Sequence, residues 1–167
     1  GWGGAVWKTL GNPAVNVNSR YAAINQGRTR IIGLNNIELI TDRGLSVNLG
    51  EMTEVKKKYP NHAVIASVMV GSKAEWFEII KRVEDTGADA LELNFSCPHG
   101  MCERGMGSAV GQEPKIAEEI TRWAREQSSL PVIVKLTPNV ADIRYQGQAA
   151  VQGGADWRAA DSSCIED

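Results

Sequence analysis

Several things are scarce in this sequence, and each scarcity excludes something. No apolar run approaches the roughly 20 residues needed to span a bilayer, so no membrane is expected as a partner. Neither sign of charge dominates. Eighteen Lys and Arg stand against 20 Asp and Glu, a formal net charge of −2, which argues against a broad electrostatic grip on nucleic acid or an anionic membrane surface. Cysteine is limited to Cys97, Cys102 and Cys164, an odd number in a chain that is 43% hydrophobic. A disulfide scaffold is not expected, and reduced thiols fit better. No secretory signal precedes the first motif and the first residue is Gly1. A cytoplasmic setting is the default expectation, with a fragment and a processed chain both open. What remains is a 167-residue chain of ordinary globular composition, enough for one domain with a sizeable core.

From about residue 48 the pattern alternates between helix and strand. Asn48 is the expected cap of a helix over 49–59, which Pro60-Asn61 ends. Ala63 to Val70, β-branched and apolar throughout, reads as a strand covered on both faces. Ser72 and Glu75 have the spacing of a capping box. The helix they open, over 73–86, puts Trp76, Phe77, Ile79, Ile80 and Val83 on one face. Ala90 to Asn94 is the next strand. Pro114 opens a helix with an apolar stripe of Ile116, Ile120, Trp123 and Ala124. Leu130 to Leu136 is a strand again, and a weaker helix follows over 142–151. Such alternation implies parallel strands with right-handed crossovers. It leaves an open doubly wound sheet and a closed (β/α)₈ barrel in competition. One internal echo stands out: "TGADALELNFS" at 86–96 and "GGADWRAADSS" at 153–163. After Asp156 the second copy loses its apolar alternation. Residues 157–167 therefore read as an off-pattern tail of the kind a truncation or frameshift leaves, although an unusual natural terminus would look the same.

Polar groups gather where the expected strands end. Lys8 follows "GGAVW", Asn36 lies in "LNNIELI", Asn94, Ser96 and Cys97 follow "LEL", and Lys135 ends "VIV". Ligands of parallel α/β folds bind at these ends. Each group has an ordinary alternative: a solvated lysine, a turn-forming asparagine, a cysteine acting as a small buried hydrophobe. Recurrence at equivalent ends of successive units is what favours a site. A thiol with the ordinary pKa of about 8.5 is mostly protonated at neutral pH. Cys97 therefore reads as a proton donor ahead of a nucleophile activated by His99. Cys97, His99 and Cys102 also form C-x-H-x-x-C, but a structural zinc site wants four ligands, and the other histidine, His62, belongs at the opposite end of the strands. No metal is expected. The stretch "GMCERGMGSAVGQ" carries G-x-G-x-x-x-G rather than the dinucleotide fingerprint, and reads instead as a mobile lid.

The strings "GWGGAVWKTL", "GLNNIELITDR", "GADALELNFSCPHGMCERGMGSAVGQ" and "LPVIVKLTPNV" resemble the flavin-binding domain of the dihydropyrimidine dehydrogenases, over residues 1–156. The resemblance implies an α/β fold, an incomplete (β/α)₈ TIM barrel holding about strands 2 to 5 of the eight. It implies an FMN enzyme that reduces the 5,6 double bond of uracil or thymine, with hydride from flavin N5 and a proton from Cys97. Lys8, Thr9 and Lys135 align with flavin contacts; Asn36, Asn94, Phe95 and Ser96 align with substrate contacts. A carboxamide could offer a uracil edge both a donor and an acceptor. NAD, FAD and iron–sulfur clusters would belong to a partner electron-transfer subunit or to regions outside this chain, and the intact enzyme would be an oligomer. Dihydroorotate oxidation on the same barrel is the alternative activity. An inactive fragment, with an open face and weak or no FMN binding, and a small metal-binding module are the non-enzyme alternatives.

Overall fold

The computed structural model describes residues 1–12, 20–35, 40–97 and 105–160. In chain order the elements are β1 (Gly4–Val6), β2 (Arg20–Gln26), β3 (Thr29–Asn35), α1 (Leu45–Lys58), β4 (Ala63–Val68), α2 (Lys73–Glu84), β5 (Ala90–Phe95), α3 (Ser108–Gln112), α4 (Pro114–Gln127), β6 (Val132–Leu136), α5 (Ile143–Gln152) and β7 (Trp157–Ala160). Strands β2 and β3 form a separate antiparallel hairpin. The other five make one parallel sheet in the order β1-β4-β5-β6-β7. None of the described helices is long and apolar enough to cross a membrane.

That order decides between the two architectures. A doubly wound sheet reverses its strand order at a switch point and carries helices on both faces. Here each new strand is added beside the previous one without reversal. Alternate residues of β4, β5 and β6, among them Val64, Val68, Leu91, Phe95, Val132 and Leu136, share one core with Trp76, Ile80, Val83, Ala117, Ile120 and Ala150 from α2, α4 and α5. All three helices therefore cover one face, the winding of a (β/α)₈ barrel. The chain folds as a partial barrel of five strands rather than the four expected. The other face carries the alternate set, on which Val6 and Trp157 are exposed.

The additional strand is β7, which opens the stretch from residue 157 that reads as off-pattern in the sequence. The repeated Gly-Ala-Asp explains why it forms. Asp89 accepts a hydrogen bond from the backbone N–H of Val64 at 2.7 Å and donates its own N–H to the Val64 carbonyl at 2.9 Å. Asp156 does the same to Val132, at 2.8 Å and 2.9 Å. In both copies the aspartate clamps the start of the preceding strand and launches the next one beside it. Trp157–Ala160 then pairs with Ile133–Leu136 in register. All four β7 residues are exposed, so no burial demands the alternation that would have marked the strand. Residues 161–167, with Cys164, lie outside the described residues.

Two local expectations fare differently. The Ser72–Glu75 box caps α2 as expected, with both reciprocal bonds made. Asn48, by contrast, lies inside α1, whose N-cap is Gly44. It is fully buried; its Nδ2 donates to the carbonyls of Arg43 and Gly44 and its Oδ1 accepts from Trp7 Nε1 at 3.0 Å. A residue type suited to capping is used here to tie the helix start to the end of β1.

The strand-start clamp sets an acid limit on stability. Partial burial raises the titration point of Asp89, but the hydrogen bonds from Lys56 and Val64 and the Lys56 charge outweigh it, and the carboxyl titrates below the usual range. The hydrogen bond from Ser128, with help from the Ser129 N–H, holds Glu84 low as well. A carboxyl depressed on folding adds stability above its unfolded pKa of about 4 and loses it as pH falls through the folded value. The melting temperature should be level at neutral pH and drop below roughly pH 4, with a shallower drop in Asp89→Asn; calorimetry across that range measures it.

Candidate active site

The face of the sheet turned away from the helices carries one joined row of polar side chains. The register places Ser67 beside Glu92 and Asn94 beside Lys135. Beyond β1 the chain continues along β4, with Leu10 bridged to Val68, which sets Thr9 against Ser67. Asn94 Nδ2 donates to Thr9 Oγ1 at 2.9 Å. Thr9 Oγ1 and Ser67 Oγ are 2.9 Å apart, and Ser67 Oγ donates to Glu92 Oε1 at 2.7 Å. Lys135 Nζ lies 3.5 Å from the same carboxylate oxygen. Ser96 donates to Asn94 Oδ1 through its backbone N–H at 3.1 Å and its hydroxyl at 2.9 Å. Thr9, Ser67, Glu92, Asn94 and Ser96 are all buried, while Lys135 is half-buried and Lys8, next to Thr9, is exposed.

Cys97 follows immediately. Its side chain is buried in a small apolar cluster with Ile40, Met69 and Met106, separate from the main core. It is a free thiol. Asn36, His99 and Cys102 lie outside the described residues. Among the described residues no group of His, Cys, Asp and Glu could hold a metal ion.

The family model described as dihydroorotate dehydrogenase matches residues 8–158, a span that contains the whole polar row. The chain belongs to the dihydroorotate dehydrogenase family. It is 45% identical over 169 residues to the chloroplastic dihydropyrimidine dehydrogenase (NADP(+)) of Arabidopsis thaliana, an alignment covering 96% of this chain and 40% of the relative. It is 40% identical over 161 residues to the NAD-dependent dihydropyrimidine dehydrogenase subunit PreA of Escherichia coli K12, covering 96% of this chain and 39% of that one. The chain thus spans about two fifths of the length of these relatives. Among solved structures, the carboxyl transferase domain of Rhizobium etli pyruvate carboxylase matches 71% of this chain and 20% of its own at a TM-score of 0.52 and 17% identity, a likeness of fold alone.

Within this family member, two further expectations meet the structure. The ring of Phe95 does not face the polar row. Strand alternation turns it into the core beneath α2, with 1% exposure and an edge-on contact to Trp76, centroids 6.5 Å apart. Only its backbone borders the site. The described part of the glycine-rich stretch, expected as a mobile lid, packs against the end of β5. Residues 100–104 lie outside the described residues, but Ser108–Gln112 is the short helix α3. Its glycines permit close approach. A Cβ on Gly111 would stand 2.1 Å from the Phe95 carbonyl oxygen, and one on Gly107, at φ +59°, 2.4 Å from that of Cys97. Gly111→Ala should therefore cost about 1–3 kcal/mol, as over-packing does, read as a lowered urea midpoint. Wild-type stability in that variant would mean that α3 is not pressed onto the strand end.

Ser67 and Glu92 were not among the residues singled out from the sequence. The signal was present: in "ALELNF" the polar residues at 92 and 94 alternate with Leu91, Leu93 and Phe95, the period of a strand with one polar face.

Proposed function

We propose that this chain supplies the central strands of an FMN-dependent dihydropyrimidine dehydrogenase acting on uracil or thymine. The observation that carries the reading is the joined row from Ser96 through Asn94 and Thr9 to Glu92 and Lys135, at the strand ends beside Cys97. Two relatives that align with nearly the whole chain carry that activity in their names. Residues 1–156 are the proposed barrel portion, with the strand after Asp156 as its continuation.

Lys8, Thr9 and Lys135 would hold the flavin. Asn36, Asn94 and Ser96 would hold the pyrimidine, with Phe95 contributing backbone only. FMN, when bound, supplies the hydride that reaches carbon 6 of the pyrimidine. Cys97 would deliver the proton from Sγ to carbon 5, and Ile40, Met69 and Met106 around it would keep water from the thiol. The Lys135 ammonium would favour negative charge on a ring bound over it. The E. coli relative is named as an NAD-dependent subunit. By the same reading, an NAD-linked subunit carrying flavin and iron–sulfur clusters would deliver electrons here, in the cytoplasm and in an oligomer.

The family model's own description keeps dihydroorotate oxidation as the second reading. The natural gene product carrying this chain should convert uracil to 5,6-dihydrouracil when supplied with reduced FMN, and should leave dihydroorotate unoxidised when supplied with oxidised FMN and an electron acceptor. The reverse preference would establish the second reading, and turnover of neither substrate would sink both.

A further inference from the structure

The polar row has a proton order that its two ends dictate. At one end the Ser96 backbone N–H meets Asn94 Oδ1. A backbone N–H can only donate, so the carboxamide must keep its oxygen there. Its nitrogen therefore faces Thr9 as a donor. At the other end the Glu92 carboxylate can only accept, which commits the Ser67 proton to it. In the contact between Thr9 and Ser67 the shared proton is then that of Thr9. The order runs Asn94 to Thr9 to Ser67 to Glu92, and the acceptor that closes it is also the counter-charge of Lys135.

The same accounting shows what Asn94 has left. Both lone pairs of Oδ1 are taken by Ser96, and one amide hydrogen by Thr9. The second amide hydrogen has no partner among the described residues.

We propose that Glu92 is a positioning residue that fixes the Ser67 and Thr9 protons of this order, and that Asn94, turned by Ser96, offers a ligand one N–H donor and no acceptor. Its register partner Lys135 is likewise a donor. The ligand group read at this point is an acceptor oxygen, a ring carbonyl. This rests on the flavin–pyrimidine reading of the site and narrows it, because Asn94 no longer offers a uracil edge both kinds of hydrogen bond. Both a flavin and a pyrimidine carry ring carbonyls.

The test is NMR of the ¹⁵N-labelled chain, following hydrogen exchange of the Asn94 side-chain amide. Without ligand, one proton should be protected and the other exchange freely. In Glu92→Gln the protected proton should exchange roughly tenfold faster, the loss of about one charge-assisted hydrogen bond, while backbone protection at Leu91 and Leu93 is retained. Ser67→Ala cuts the row without touching the ion pair and should do the same, which keeps the test sound if Glu92→Gln fails to fold. Protection that survives both substitutions, or two equally protected protons, would overturn the proposal. FMN and uracil are then added separately. Whichever binds should move the freely exchanging proton, and a bound ligand that shifts Lys135 but not that proton overturns the donor assignment. If neither binds while the exchange pattern holds, the flavin–pyrimidine reading fails and the proton order is upheld.

Discussion

Cys97→Ala in the natural gene product should slow uracil reduction by about a hundredfold or more, the usual loss when a general acid is removed, while reduction of the bound flavin by its electron donor keeps its rate. The split follows from where the thiol acts. By the proposed function it would deliver a proton to the pyrimidine and take no part in electron arrival. Its neighbours Ile40, Met69 and Met106 form a cluster apart from the main core, so removing the sulfur should cost only about 1 kcal/mol of stability. Cys97→Ser keeps the shape but substitutes a far weaker acid, and its turnover should stay near that of the alanine variant. Rapid-mixing absorbance separates the two half-reactions. Equal loss in both would make Cys97 a packing residue and remove the proposed proton donor.

Phe95→Ala should cost about 3–5 kcal/mol, as loss of a fully buried aromatic does, a large share of the roughly 5–15 kcal/mol that holds a domain together. Taken with the family resemblance, the sequence puts Phe95 beside the substrate. The pleat puts it on the opposite face of β5, edge-on to Trp76 and among the residues joining β4, β5, α2 and α4. A urea titration followed by circular dichroism distinguishes the two roles. An unchanged midpoint together with weakened pyrimidine binding would return the ring to the site.

Much of the framework was legible in short windows of sequence. The Ser72–Glu75 box, the apolar stripe of the helix expected over 73–86 and the strand expected over 90–94 each depend on a few neighbouring residues; the box forms, the helix runs Lys73–Glu84 and the strand Ala90–Phe95. Gly107 and Gly111 show the opposite limit. Glycine reads as freedom from within the chain, whereas Gly107 and Gly111 answer to carbonyls of a strand they press against. β7 escapes notice because an exposed strand shows no burial pattern, and its formation depends on Asp156 gripping Val132, 24 residues earlier.

The amino-acid order by itself settled that strands and helices alternate and that chemistry-bearing groups fall at strand ends, because periodicity, caps and turns act within a few residues. Tertiary structure alone decided that the sheet adds strands without reversal, that Phe95 turns away from the site, and that Asn94 reaches Thr9 across 85 positions while Ser67 reaches Glu92 across 25. Those outcomes rest on which strands lie side by side and in what register, and no local pattern specifies a neighbour that distant.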